Sequence, residues 1–69
     1  MNVYTKDRYV YINNISIPLE VFKTIQSTDK NHINYDMYTL DKIGNNVYLE
    51  DGKNRVKMTV SQLKSIKSF

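Results

Sequence analysis

Residues 47–66, VYLEDGKNRVKMTVSQLKSI, constrain the fold of this chain more than any other stretch. Val47, Leu49, Val56 and Met58 occupy one phase of a two-residue alternation, while Tyr48, Glu50, Arg55 and Lys57 occupy the other. Alternation of this kind marks strands with one buried face. Asp51-Gly52 lies between the two runs and is a strong hairpin signal. Thr59 precedes Gln62 by three residues, the spacing of a helix capping box, and Val60, Leu63 and Ile66 then recur at helical intervals. The stretch therefore predicts strand, turn, strand and short helix, and it carries no reactive group.

The whole chain has 69 residues, enough for one domain and one core. A domain of this size buries only about 60% of its unfolded surface, so small folds commonly lean on disulfides, metals or self-association. Cysteine is absent and His32 is the sole histidine, which removes the first two supports and leaves self-association, as a homo-oligomer, the one still open. No run of 18 apolar residues is present, so no membrane span is expected. Residues 1–14 lack the basic start and apolar stretch of a secretory signal, which points to a cytoplasmic setting. Ten basic and seven acidic residues give a net charge of +3, compatible with nucleic acid without requiring it.

In the first half, residues 3–5 predict a short strand, Lys6-Asp7 a turn, and residues 8–12 a firmer strand with Val10 and Ile12 on one face and Tyr9 and Tyr11 on the other. Asn13-Asn14 suits a tight turn because Asn tolerates positive φ. Ile15 and Ile17 resume the alternation, and Pro18 suits the first turn of a helix carrying Leu19, Phe22 and Ile25. Residues 28–34, TDKNHIN, read as a polar loop. Residues 35–43 read as a strand with Tyr38 and Leu40 on one face and a bulge before Ile43; a helix ending before Gly44 also fits Ile33, Met37 and Leu40.

Residues 15–27 can be laid on residues 56–68, matching apolar with apolar and pairing Lys23, Ile25 and Ser27 with Lys64, Ile66 and Ser68. A duplicated ββα unit is one explanation; the general likeness of amphipathic hairpin–helix segments is the other. The expected architecture is α+β: a small antiparallel sheet of four or five strands, with two short helices on its apolar face. The candidate core is Val10, Ile12, Ile15, Ile17, Leu19, Phe22, Ile25, Leu40, Ile43, Val47, Leu49, Val56, Met58, Val60, Leu63 and Ile66. Residues 38–66, with YTLDKIGNNVYLEDG followed by a second hairpin arm and VSQLKSI, resemble the meander of small SH3-like barrels. That resemblance implies a partly open barrel, with a 3₁₀ turn rather than a helix at residues 60–66. Heavy use of Asn, Lys, Ile and Tyr with no Ala resembles the composition of small bacteriophage and prophage proteins of low-GC bacteria. The likeness implies a bacterial host cell.

Catalytic constellations are not recognisable. His32 sits among polar residues, no serine lies in a Gly-rich elbow, and Gly44 and Gly52 are too few for a phosphate-cradling loop. Asp36 and Asp41 are scattered and Glu50-Asp51 belongs to a turn, so neither paired-carboxylate chemistry nor a metal site is expected. An enzyme is not expected, and no cofactor or small-molecule substrate is evident.

Two surfaces remain. Tyr9, Tyr11 and Tyr48 fall opposite the apolar phase, as a protein-binding face would place them, because tyrosine gives large amphipathic contact with few rotors. The bland reading has these rings covering the second face of the sheet, packed on residues 35–43 or Phe69. Lys53, Arg55 and Lys57, with Lys64 following and Tyr48 beside them, form the alternative, a nucleic-acid-binding face. A solvated charged strand edge is the bland counterpart. The expected function is a non-catalytic interaction module for a partner protein or a second copy of itself.

Overall fold

Short hairpin turns set the architecture, because each fixes the register of the strands on either side of it. A computed structural model describes residues 1–67. Strand β1 (Val3–Lys6) turns through Asp7 and Arg8 into β2 (Tyr9–Ile12), and β2 turns through Asn13 and Asn14 into β3 (Ile15–Pro18). Asp7 and Arg8 both have left-handed backbones, at φ 53° and 68°, the pattern of a type I′ turn. Helix α1 (Leu19–Ser27) starts directly on Pro18, and the Leu19 amide donates to the Arg8 carbonyl at 2.9 Å. Then follow β4 (His32–Tyr35), β5 (Tyr38–Ile43), β6 (Asn46–Glu50), β7 (Arg55–Thr59) and α2 (Val60–Ser65). The strands form two antiparallel sheets, ordered β1-β2-β3 and β4-β5-β6-β7.

One core joins them. Val10, Ile12, Ile15 and Ile17 from the first sheet and Tyr38, Leu40, Val47, Leu49, Val56 and Met58 from the second are buried with Leu19, Phe22 and Ile25 of α1 and Leu63 of α2. The sheets also meet through polar links. The Tyr38 hydroxyl donates to the Ser16 carbonyl at 2.7 Å, and the Asn54 side-chain amide donates to the Asn14 carbonyl at 3.4 Å. The helices are tied end to end, since the Gln26 amide donates to the carbonyls of Leu63 at 2.9 Å and Ile66 at 2.6 Å. Those carbonyls close α2, where no further helical turn supplies donors. Thr59 and Gln62 form the expected capping box, with each side chain accepting from the other's backbone amide.

The α+β class and the hairpin–helix ends match expectation, but several finer readings are corrected. Among the described residues there are seven strands in two sheets, and these do not close into a barrel. Residues 60–65 are α-helical, so the 3₁₀ alternative does not apply. The expected loop at 28–34 contains the start of β4, with Ile33 pairing opposite Leu40. The expected strand at 35–43 is interrupted by a turn at Asp36, whose φ is 58°, and Met37. No bulge is needed before Ile43, because β5 pairs with β6 in continuous register from Thr39↔Glu50 to Ile43↔Asn46. Ile43 falls in the outward phase and is 64% exposed instead of buried. Val60 and Ile66 are half-buried at the margin of the core, while Tyr38 joins its interior. The first turn falls at Asp7-Arg8 rather than Lys6-Asp7. Each helix directly follows a hairpin arm, yet the element order is βββα then ββββα, so the second part carries an additional strand. Ser68, the last position of the internal match, and Phe69 lie outside the described residues.

Candidate interaction surfaces

Two-residue turns decide which side of each sheet meets solvent. In the first sheet Val10, Ile12, Ile15 and Ile17 point into the core, so Tyr4, Lys6, Tyr9, Tyr11, Ser16 and Pro18 fall in the outward phase. Tyr4 lies directly opposite Tyr11 across β1 and β2. Their rings stack with centroids 4.8 Å apart and planes 11° from parallel, and Tyr9 meets Tyr11 at 6.4 Å and 40°. Tyr4 is 53% exposed and Tyr9 41% exposed, with Tyr11 half-buried between them. Cross-strand aromatic contacts of this geometry favour the sheet while leaving an amphipathic surface outside.

Tyr48 is elsewhere. It lies on the outward phase of the second sheet, between Asp41 and Lys57 on the neighbouring strands. The Arg55 guanidinium sits over its ring, 4.5 Å from the centroid, as diagonal neighbours on one sheet face allow. The Arg55 Nε also approaches a Glu50 carboxylate oxygen at 3.8 Å, an exposed pair that adds little to stability. The fold therefore unites Tyr9 and Tyr11 with Tyr4 and separates them from Tyr48. The signal for Tyr4 was its alternation with Val3 and Thr5. Moving the turn by one residue changes whether its ring meets Tyr9 or Tyr11 without moving it off the face.

Compared with family models, curated proteins and solved structures, the chain has no match.

The four cations of the alternative reading are also divided. Arg55 and Lys57 share the second sheet's outward face with Tyr48, and Lys53 stands in the adjoining loop. Lys64 is on α2 and lines a separate groove with Gln26, Thr28 and Lys42. Lys42 closes the end of α1 by donating from Nζ to the Thr28 carbonyl at 2.8 Å. On the same face as Tyr48, His32 and Asp41 are opposite each other on β4 and β5 and their side chains touch. His32 is thus a strand residue, not a loop residue.

Two titrating groups are shifted by their surroundings. Asp51 accepts the backbone amides of Asn54 at 2.8 Å and Lys53 at 3.0 Å, and these bonds hold its carboxyl below the usual range. Burial pushes the Tyr38 hydroxyl up, reinforced by Asp51, Tyr9 and Asp36 nearby. Both groups serve the fold: Asp51 orders the β6–β7 loop and Tyr38 joins the sheets.

Proposed function

We propose that this chain is a non-catalytic interaction module that binds a protein surface through Tyr4, Tyr9 and Tyr11. The continuous three-ring contact on the solvent face of the first sheet carries the reading. Tyrosines are strong interface anchors because they bury much area while ordering few torsions. The outward strand positions of that sheet include Lys6 and Ser16 but no carboxylate, so a single charge stands among the rings. An Asn-, Lys-, Ile- and Tyr-rich composition without Ala supports a bacteriophage or prophage origin and a bacterial cytoplasm as its setting.

The test is capture from bacterial lysate supplemented with an untagged copy of this chain, using wild type, a Tyr4→Ser/Tyr9→Ser/Tyr11→Ser variant and Tyr48→Ser. Wild type and Tyr48→Ser are expected to retain the same bound protein, and the triple variant to lose it while still melting cooperatively. Equal retention by all three would remove the tyrosine face from consideration.

A second reading is favoured by the grouping of Tyr48, Arg55 and Lys57 on the other sheet: a single-stranded nucleic acid could stack on the ring and neutralise its phosphates there. Its test is a salt titration of oligonucleotide binding. Phosphate-driven binding weakens steeply with salt, and no binding at low salt eliminates it.

A further inference from the structure

Edge strands expose backbone groups, and the four edges of these two sheets differ in how they are guarded. In a two-residue hairpin the closing pair is hydrogen-bonded, and every second pair after it is not. Lys6↔Tyr9 closes the first hairpin, so Tyr4 and Lys6 spend their backbone groups on β2, whereas those of Val3 and Thr5 point away from the sheet. The Asn13 amide donating to the Asn2 carbonyl at 2.8 Å continues this alternation, as does the Leu19–Arg8 bond on the other side of β2. By the same rule Ser16 points outward from β3, and its carbonyl is taken by Tyr38.

The β3 edge is therefore occupied. The β7 edge carries Arg55 and Lys57, a common guard against edge pairing. On β4, outward backbone groups belong to polar His32 and Asn34. On β1 the outward backbone groups belong to Val3 and Thr5, and among the described residues no hydrogen bond takes them; its one cation, Lys6, lies at the strand's end. Beside β1 lies an open groove of about 610 Å³, lined by Val3 and Thr5 of the strand, by Met1 before it, and by Ser65, Ile66 and Lys67 at the α2 end.

Building on the proposed tyrosine-face function, we infer that the partner is a second copy of this chain, paired antiparallel along β1 about a two-fold axis at Tyr4. In that register Val3 faces Thr5 of the other copy, and each pair exchanges both outward-pointing backbone bonds. Tyr4 faces its own counterpart as a non-hydrogen-bonded pair, the closer kind, with Cα atoms about 4.5 Å apart. The Tyr9–Tyr11–Tyr4 stack of one copy continues into that of the other on one face of a six-stranded sheet. Lys6 faces Asn2, so no like charges meet. The self-complementarity is isologous, as a two-fold dimer requires. A seam of so few residues lies below about 1,200 Å² of buried surface, so the dimer is a weak one.

Sedimentation from about 1 µM to about 1 mM, a range spanning weak affinities, is expected to show wild type passing from monomer to dimer. Thr5→Pro removes an amide that donates to nothing within its own sheet, so the fold is retained. It deletes two seam bonds per dimer and is expected to raise Kd by about tenfold or more. Because the chain has no cysteine, single-cysteine variants report register directly. Under mild oxidant a mixture of Asn2→Cys with Lys6→Cys is expected to give a crosslinked heterodimer, while each alone stays largely uncrosslinked. Wild type that is monomeric throughout, or a mixture that crosslinks no better than its components, overturns the inference. Either result leaves the tyrosine face to its own lysate test. Wild type that stays monomeric while a different protein is captured from lysate, and lost in the triple serine variant, would keep the tyrosine face and overturn the second copy as its partner.

Discussion

Tyr38 performs two tasks that would be separate in a larger protein. Its ring is part of the core at 5% exposure, and its hydroxyl satisfies the carbonyl that β3 turns outward at Ser16. Tyr38→Phe keeps the ring and deletes the bond, and is expected to cost about 1 kcal/mol in urea unfolding. Its folded-state pKa is raised, so the stability it contributes is fully present below the unfolded value near 10 and is lost as pH rises through the folded value. The phenylalanine variant should show a smaller alkaline loss than wild type, and parallel alkaline curves would refute the assignment. Asp51 has the opposite sign. Its pKa is lowered by the amides of Asn54 and Lys53, so its contribution is present above the unfolded value near 3.9 and lost as pH falls through the folded one. Asp51→Asn keeps an acceptor without the charge. Its unfolding midpoint is expected to fall less than that of wild type between about pH 5 and about pH 2, and identical acid slopes would rule the assignment out.

At the scale of elements, α2 depends on its cap. Six residues form too short a helix to hold itself together, so Val60–Ser65 persists through the Thr59–Gln62 box, burial of Leu63 and the Gln26 bonds at its end. Thr59→Ala is expected to cost about 1 kcal/mol and to speed amide exchange across α2 before any other element. Exchange that rises equally everywhere would show that the cap is not a local determinant. This element was legible because Thr59, Gln62, Val60 and Leu63 are all local in sequence. Strand β4 was not, since His32 and Asn34 are polar, Tyr35 is exposed, and Ile33 is the one aliphatic residue that holds it in place, opposite Leu40. Ile43 misled for the converse reason: an apolar residue next to a turn suggests a buried phase, but the continuous β5–β6 register sends it outward. Alternation also put Tyr9, Tyr11 and Tyr48 on outward faces correctly. It had no means of dividing them, because which hairpins belong to one sheet depends on long-range contacts that no local period records.

At the scale of the molecule, the two sheets behave as one unit only if the core between them is shared. Leu63 tests this best: it is fully buried, it lies on the last helix, and it belongs to the one cluster that holds residues of both sheets. Leu63→Ala removes packing that cannot be refilled by its neighbours and is expected to cost roughly 2–5 kcal/mol, against a total for so small a domain of about 3–10 kcal/mol. The loss should not stay on the second sheet. Methyl signals of Val10 and Ile12 in the first sheet and of Val47 and Leu49 in the second are expected to disappear at one urea concentration, in wild type and at a lower midpoint in the variant. A first sheet that outlasts the second in the variant would mean that β1-β2-β3 with α1 is stable without its neighbour. Coincident loss would instead make the tyrosine face hostage to the far helix: a cavity at Leu63 would weaken binding at Tyr4, Tyr9 and Tyr11 without touching them, in proportion to the fraction unfolded.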